Sequence, residues 1–365
     1  MPLGTVNADL IVGTNGGRIS PENTFGMRNR IINGAMVIDQ RNAGASVTPT
    51  ANTYTLDRWF ANATVASKFS VQQSTVAPAG FTNSTLITST SAYSVANGDY
   101  NSFQQRIEAF NMLDMGWGTA DAKTVTLSFW VRSSLTGTFG GSFYFPASTA
   151  RTYPFSYSIP VANTWTQISI VIAGDTFTNT APTGNNLYVI VQWGLGVGST
   201  FSGTAGSWVN GNFASVTGAT NLIATNGATF YITGVQLEVG TNATSFEYRP
   251  YGTELALCQR YTFVLRGTSA TRFAISGVAA GFSMYPNIEY PVTMRATPTF
   301  SLSSPSDFQT EIWNAGFTQT TTSISLNQAT VNSMILTVNV PSTLTTGGIL
   351  SAVNSSAVMT ISAEL

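Results

Sequence analysis

The chain has 365 residues, of which 8% are charged, 43% hydrophobic and 12% aromatic, with a formal net charge of −1. Charge this far below the roughly 25% of ordinary soluble domains, with ample apolar content, excludes a disordered chain and gives nucleic-acid binding no electrostatic footing. Histidine is absent, which removes the commonest general base, metal ligand and pH switch, and the lone Cys258 excludes an intrachain disulfide or a cysteine-based zinc site.

The opening residues, MPLGTVNADLIVGTNGG, lack the basic start and apolar core of a secretion signal. No apolar run reaches the about 18 residues needed for membrane insertion. The expectation is synthesis in a cytoplasm without secretion. Residues 1–30, broken by Gly13, Gly16, Gly17 and Pro21, are too short to bury a core. They read either as an attachment segment ordered by a partner or as a frayed terminus.

Residues 31–253 carry the strongest strand signals. IINGAMVIDQ (31–40) alternates around a glycine, and YTLDRWF (54–60) puts Tyr54, Leu56 and Arg58 on one face. TVTLSFWVR (124–132) sets Val125, Leu127, Phe129 and Val131 against Thr124, Thr126, Ser128 and Trp130. Further strands are predicted at 164–173, 187–193 and 229–238. The last changes phase near Gly234, as a bulge would require. Uneven spacing and long polar loops at 74–81 and 201–221 predict an all-β jelly-roll sandwich rather than a propeller.

Residues 254–261 hold the one helix-like pattern nearby, in which Cys258 reads as a small buried hydrophobe. Residues 254–365 then form a smaller C-terminal β-sandwich, with strands at 323–326, 333–340 and 357–365 and prolines 291 and 298 bracketing a strand end. The almost wholly polar stretch 318–330 would leave open edges unless another chain covers it, which favours packing against other subunits.

Several longer segments follow in a characteristic order: N-x-x-x-N-G-A-M-x-I-D-Q-R (29–41), Y-T-L-D-R-W (54–59), Q-x-I-E (105–108), V-T-L-S-F-W-V-R-S-S (125–134) and T-W-T (164–166). G-V-Q-L-E (234–238) and F-E-x-R-P-x-G-x-E-L-x-L-C-Q-R-Y (246–261) complete the series, and P-V-T-M-R-A-T-P-T (291–299) lies beyond it. Together they resemble bacteriophage virion fiber proteins, tail fibers among them, whose jelly-roll module is similar to carbohydrate-binding modules. The resemblance implies a homotrimer on the virion, joined to tail or capsid proteins through residues 1–30. It also implies adhesion to host surface polysaccharide, lipopolysaccharide in particular. A capsid-attached head fiber or decoration protein and a depolymerase tailspike are the alternatives. In many such jelly rolls a calcium ties the first strand to the last. Asn33 and Glu238 are the matching positions here, although Glu238 reads equally as an ion-pair partner of an arginine such as Arg41. No other cofactor is expected.

A depolymerase needs two carboxylates at a set separation. The sixteen acidic residues form no local cluster in the sequence, and no β-helix ladder repeats, so no catalytic residue is assigned. Glu247 and Arg249 read as stabilisers of the domain junction. Sugars stack on aromatic rings, so the loop-borne Trp117 and Trp208, set among glycine and polar residues, and Tyr144 and Tyr153, around a proline-containing loop, are the candidate ligand residues. Packing is the competing role for each. Trp59, Trp130, Trp165 and Trp193 lie inside strand patterns and read as core or interface.

Overall fold

The computed structural model describes residues 27–269, 271–276, 279–312, 317–344 and 346–365, together with a short strand pair, Ile11–Val12 and Arg18–Ile19. Most of the expected attachment segment lies outside the described residues. The chain divides into two compact units, one comprising 1–249 with Leu365 and the other 250–364, and both are built of mostly antiparallel sheet.

In the first unit seven strands lie side by side in the order Val209–Asn210, Arg151–Ile159, Gly137–Phe145, Leu187–Val197, Tyr100–Glu108, Trp59–Ala63 and Thr53–Tyr54. Five more form a second sheet in the order Thr166–Ile172, Val125–Ser133, Thr229–Val239, Ser84–Ser89 and Phe69–Ser74. Alternation makes them a sandwich. Val125, Leu127, Phe129 and Val131 are all buried, and Phe129 meets Tyr157 and Trp193 of the other sheet edge-on, at centroid distances of 5.2 and 5.4 Å. Trp59 stacks on Phe103 at 4.9 Å. Burying each such side chain is worth about 1.5–3 kcal/mol.

Two predicted strands take other forms. Residues 31–40 are buried at Ile31, Ile32, Met36 and Ile38 but form a strap rather than a ladder strand, because Asn33 and Met36 adopt left-handed backbone (φ 59° each). The 54–60 run is broken by a turn in which the Trp59 amide donates to the Leu56 carbonyl (2.9 Å) and Arg58 has φ 70°. Tyr54 ends the short strand Thr53–Tyr54, and Trp59 and Phe60 begin its partner Trp59–Ala63.

The strap docks on the bulge that the Gly234 phase change foreshadows. The register of Thr229–Val239 against Val125–Ser133 shifts between Thr233 and Gln236, and Gly234 has φ 61°. Asn29 fills the gap: its Nδ2 donates to the Val235 carbonyl (3.1 Å) and its Oδ1 accepts from the Ile31 and Leu237 amides (3.0 Å each). Arg249 donates to the carbonyls of Ile31 (3.1 Å) and Asn29, so it works inside the first unit as a clasp on the strap.

The second unit holds the helix Tyr251–Gln259, with Cys258 fully buried as expected. Its strands pair in three small sheets. One orders Thr262–Arg266, Val358–Ser362 and Thr299–Leu302; another orders Arg272–Ser276, Gly348–Ala352, Phe308–Ile312 and Phe317–Thr320; a third centres on Ser333–Asn339. Met284, Met294, Phe308, Leu336, Leu350 and Met359 form the core. Ser323–Ala329 is exposed from Ser325 to Gln328, in keeping with its polar sequence.

Candidate functional site

The four candidate aromatic residues do not share one surface. Trp117 is 1% exposed and Tyr153 8%, so neither offers a free ring face to a sugar: Trp117 lies in a turn as expected but points inward, and Tyr153 lies within the strand Arg151–Ile159. The glycine after Trp117 serves a tight turn rather than a flexible loop. Gly118 has φ 89°, and a Cβ there would lie 2.9 Å from the Asn179 carbonyl oxygen. The turn tucks the indole inward, where Nε1 donates to the Lys123 carbonyl (2.9 Å). Trp208 closes over it at 5.1 Å, packs against Tyr153 at 5.6 Å, and donates from Nε1 to the Ala173 carbonyl (2.7 Å). These three rings therefore form one end of the core, with Trp208 half-buried at its rim. Tyr144 points the other way. It sits between Thr152 and Ile190 on the outer face of the seven-stranded sheet, half-buried, where burial raises its phenol pKa.

Asn33 and Glu238 are both engaged by protein groups. Asn33 donates from Nδ2 to the Ile38 and Asp57 carbonyls (2.8 and 3.0 Å) and accepts at Oδ1 from the Ile38 amide (3.0 Å). Glu238 accepts from Gln236 Nε2 (2.8 Å) and from the Thr244 amide and hydroxyl (2.9 and 2.7 Å). Its arginine is Arg28, at 3.9 Å, in place of the Arg41 suggested by sequence. Among the described residues no three His, Cys, Asp or Glu side chains are grouped to hold a metal ion.

The outer face of the seven-stranded sheet carries a different set of groups. Strand pairing lines up Phe60, Gln104, Gln192, Ser142 and Pro154 in one row. Arg106, Ile190 and Tyr144 form the next row, and Asn62 and Ser102 belong to the row on the other side. Gln192 is fully engaged: Oε1 accepts from the Tyr100 hydroxyl (2.7 Å) and the Ser102 hydroxyl (3.3 Å), and Nε2 donates to Ser142 (2.9 Å) and the Phe213 carbonyl (3.3 Å). Burial pushes the Tyr100 phenol up to about 12, against a smaller lowering from its bond to Gln192.

Gln104, one strand over, is 1% exposed, yet neither its Nε2 nor its Oε1 has a hydrogen-bond partner. Asn62 Oδ1 is likewise buried without one. An unmade bond at a buried amide costs about 1–3 kcal/mol, and Gln104 leaves both of its side-chain polar atoms in that state. The loop carrying Phe213 and Ser215 covers only part of this face. A Cβ at Gly140 or Gly194 would meet Ser215 at 2.3 or 2.8 Å, whereas the unspent groups lie over Tyr100–Glu108 and Trp59–Ala63, where Gln104 and Phe60 are themselves buried. There the Arg106 guanidinium lies over the Phe60 ring, 3.9 Å from its centroid, and donates from Nη1 to the carbonyl of Leu365 (2.7 Å). A ring beside two amides suits a pyranose, whose C–H face stacks and whose neighbouring hydroxyls both donate and accept. Gln104 carries no motif of its own, whereas its neighbour Gln105 begins the Q-x-I-E segment. Gln105 serves the strap instead, bonding the Ile32 amide and carbonyl at 2.8 Å each.

No protein-family model matches the sequence, and no curated protein is similar to it. Among solved structures, a putative sugar binding protein from Bacteroides thetaiotaomicron is similar over 58% of this chain and 100% of its own, with 13% identity and a TM-score of 0.35. The enzymatically active domain of bacteriophage CBA120 tailspike protein 4 is similar over 58% of this chain at 14% identity and TM-score 0.30, and the match spans 22% of that chain. The family 11 carbohydrate-binding module of the Clostridium thermocellum cellulase Lic26A-Cel5E is similar over 55% of this chain and 99% of its own, at 12% identity and TM-score 0.28. These superpositions are partial, and the outer-face site is defined by this chain's own residues.

Proposed function

We propose that this chain is a phage virion fiber protein, a trimeric tail fiber that adheres to host surface glycan, lipopolysaccharide in particular, without turning it over. The carrying observation is Gln104: a buried amide with both hydrogen-bonding atoms unspent, in the same row as a phenylalanine ring and a fully satisfied glutamine. Glycan hydroxyls supply the missing partners. The sequence resemblance supports the virion setting, with residues 1–30 held by tail or capsid proteins. Three copies per fiber turn weak single sites into firm adhesion through effective concentration. The reading uses no cofactor.

The test is binding of the purified protein to intact host cells and to their extracted lipopolysaccharide, with light scattering for its mass. Specific binding by a trimer without release of reducing ends is the expected result. Release of reducing ends would replace this reading with a depolymerase. A protein that ignores the host altogether would replace it with a capsid decoration role.

A further inference from the structure

Beyond naming a binding face, the geometry points to an internal plug: we infer that Arg106 holds the place a neutral pyranose takes on Phe60, and that ligand entry displaces it. This rests on the outer-face reading of the site. Phe60 and Gln104 are cross-strand partners, and Arg106 is two residues along the same strand as Gln104, so all three side chains share one face. The Arg106 guanidinium sits over the Phe60 ring at 3.9 Å, on the face a sugar would use. Its Nε is buried without a partner, and Gln104 in the next row and Asn62 in the row beyond retain unmade hydrogen bonds on the same sheet face. The closed arrangement therefore covers the ring while leaving three buried polar groups unsatisfied. A pyranose on Phe60 would reverse that balance: its hydroxyls reach Gln104 and Asn62, and the guanidinium returns to water, where it is well solvated. The contacts Arg106 gives up are the stacking on Phe60 and one charge-assisted bond to the main-chain oxygen of Leu365.

The plug predicts an unusual sign. Removing Arg106 should tighten binding, because the free protein no longer holds a competing group on the ring. An array of neutral oligosaccharides and bacterial lipopolysaccharides first identifies the best-bound neutral oligosaccharide, which is then titrated calorimetrically into wild type, Arg106→Ala and Gln104→Leu. The expected result is a roughly twofold to thirtyfold lower Kd for Arg106→Ala, the range of a stacked cation lost from a ring, and loss of binding for Gln104→Leu. Weaker or unchanged binding by Arg106→Ala, with Gln104→Leu still inactive, overturns the plug and leaves the binding face standing. Unchanged binding by Gln104→Leu overturns the face itself. A second readout covers the case in which Arg106→Ala fails to fold. In wild-type protein the Nε–H resonance of Arg106, shifted by the Phe60 ring, should move on saturation with the oligosaccharide. A resonance that stays in place overturns the plug.

Discussion

Gln104 and Gln192 are cross-strand neighbours on one sheet face, and the loop carbonyl of Phe213 and the hydroxyls of Tyr100, Ser102 and Ser142 satisfy only the second of them. The asymmetry sets a trade between stability and binding. Replacing an unsatisfied buried amide by an apolar side chain of similar size removes its desolvation cost. Gln104→Leu is therefore expected to gain about 1–3 kcal/mol in urea unfolding while losing glycan binding. A destabilised Gln104→Leu protein would mean that the amide is satisfied in solution and that the site lies elsewhere.

Trp208 is expected to act through packing. Its ring closes on Trp117 and Tyr153, and its indole N–H is spent on Ala173. Trp208→Ala should cost about 2–3 kcal/mol of stability, below the full value of a core tryptophan because the ring is only half-buried. Thermal melting with parallel glycan titration separates the roles. A variant that melts like wild type but binds poorly would restore Trp208 as a ligand residue.

Alternation made much of the first unit legible. The strand Val125–Ser133 and the bulge at Gly234 follow from patterns of apolar and polar residues, and the helix expected over 254–261 is found slightly earlier, at Tyr251–Gln259. The strand Tyr100–Glu108 was harder to read, because every residue in it except Arg106 is buried and its polar residues sit under neighbours rather than in water. Period-two alternation marks an outer face that lies in open water, and in the free protein the outer face of this strand is covered. The site was less legible than the fold. Flanking glycines marked Trp117 correctly as a loop residue, but not that the left-handed turn at Gly118 points its ring into the core. No local pattern reports that Gln104 lacks a partner, since that depends on which loop crosses the sheet above it.

The buried tyrosines give the protein an alkaline limit. Burial pushes the phenols of Tyr100 and Tyr188 up to about 12, and that of Tyr157 well above its ordinary value of 10. A folded pKa above the unfolded one means that the native state holds its protons longer. The associated stability is complete below pH 10 and is lost as pH rises from about 10 through 12. Tyr100 alone accounts for on the order of 2–3 kcal/mol. Phenolate absorbance should show these groups ionising together with the loss of structure by circular dichroism. Ionisation near pH 10 with the fold intact would show that they are open to solvent.

Gly34 shows what the signature segments do together. A Cβ at this position would lie 2.2 Å from the Val235 carbonyl oxygen, and the Gly34 carbonyl accepts from the Val235 amide at 3.0 Å. The glycine of the N-G-A-M segment thus lets the strap lie against the bulge formed by G-V-Q-L-E. Trp59 adds its indole N–H to the Asn33 carbonyl (3.0 Å), and Gln105 clamps Ile32, so four separated segments meet at one strap. The signature therefore specifies how the sandwich is closed, while the proposed ligand groups lie on the outer face of the seven-stranded sheet. Gly34→Ala is expected to cost about 3 kcal/mol, at the upper end of overpacking changes, because a backbone carbonyl cannot move aside as a side-chain end can. Hydrogen exchange should show loss of protection first at the amides of Val235 and Leu237. Equal protection in the variant would mean that the strap contributes little to the fold.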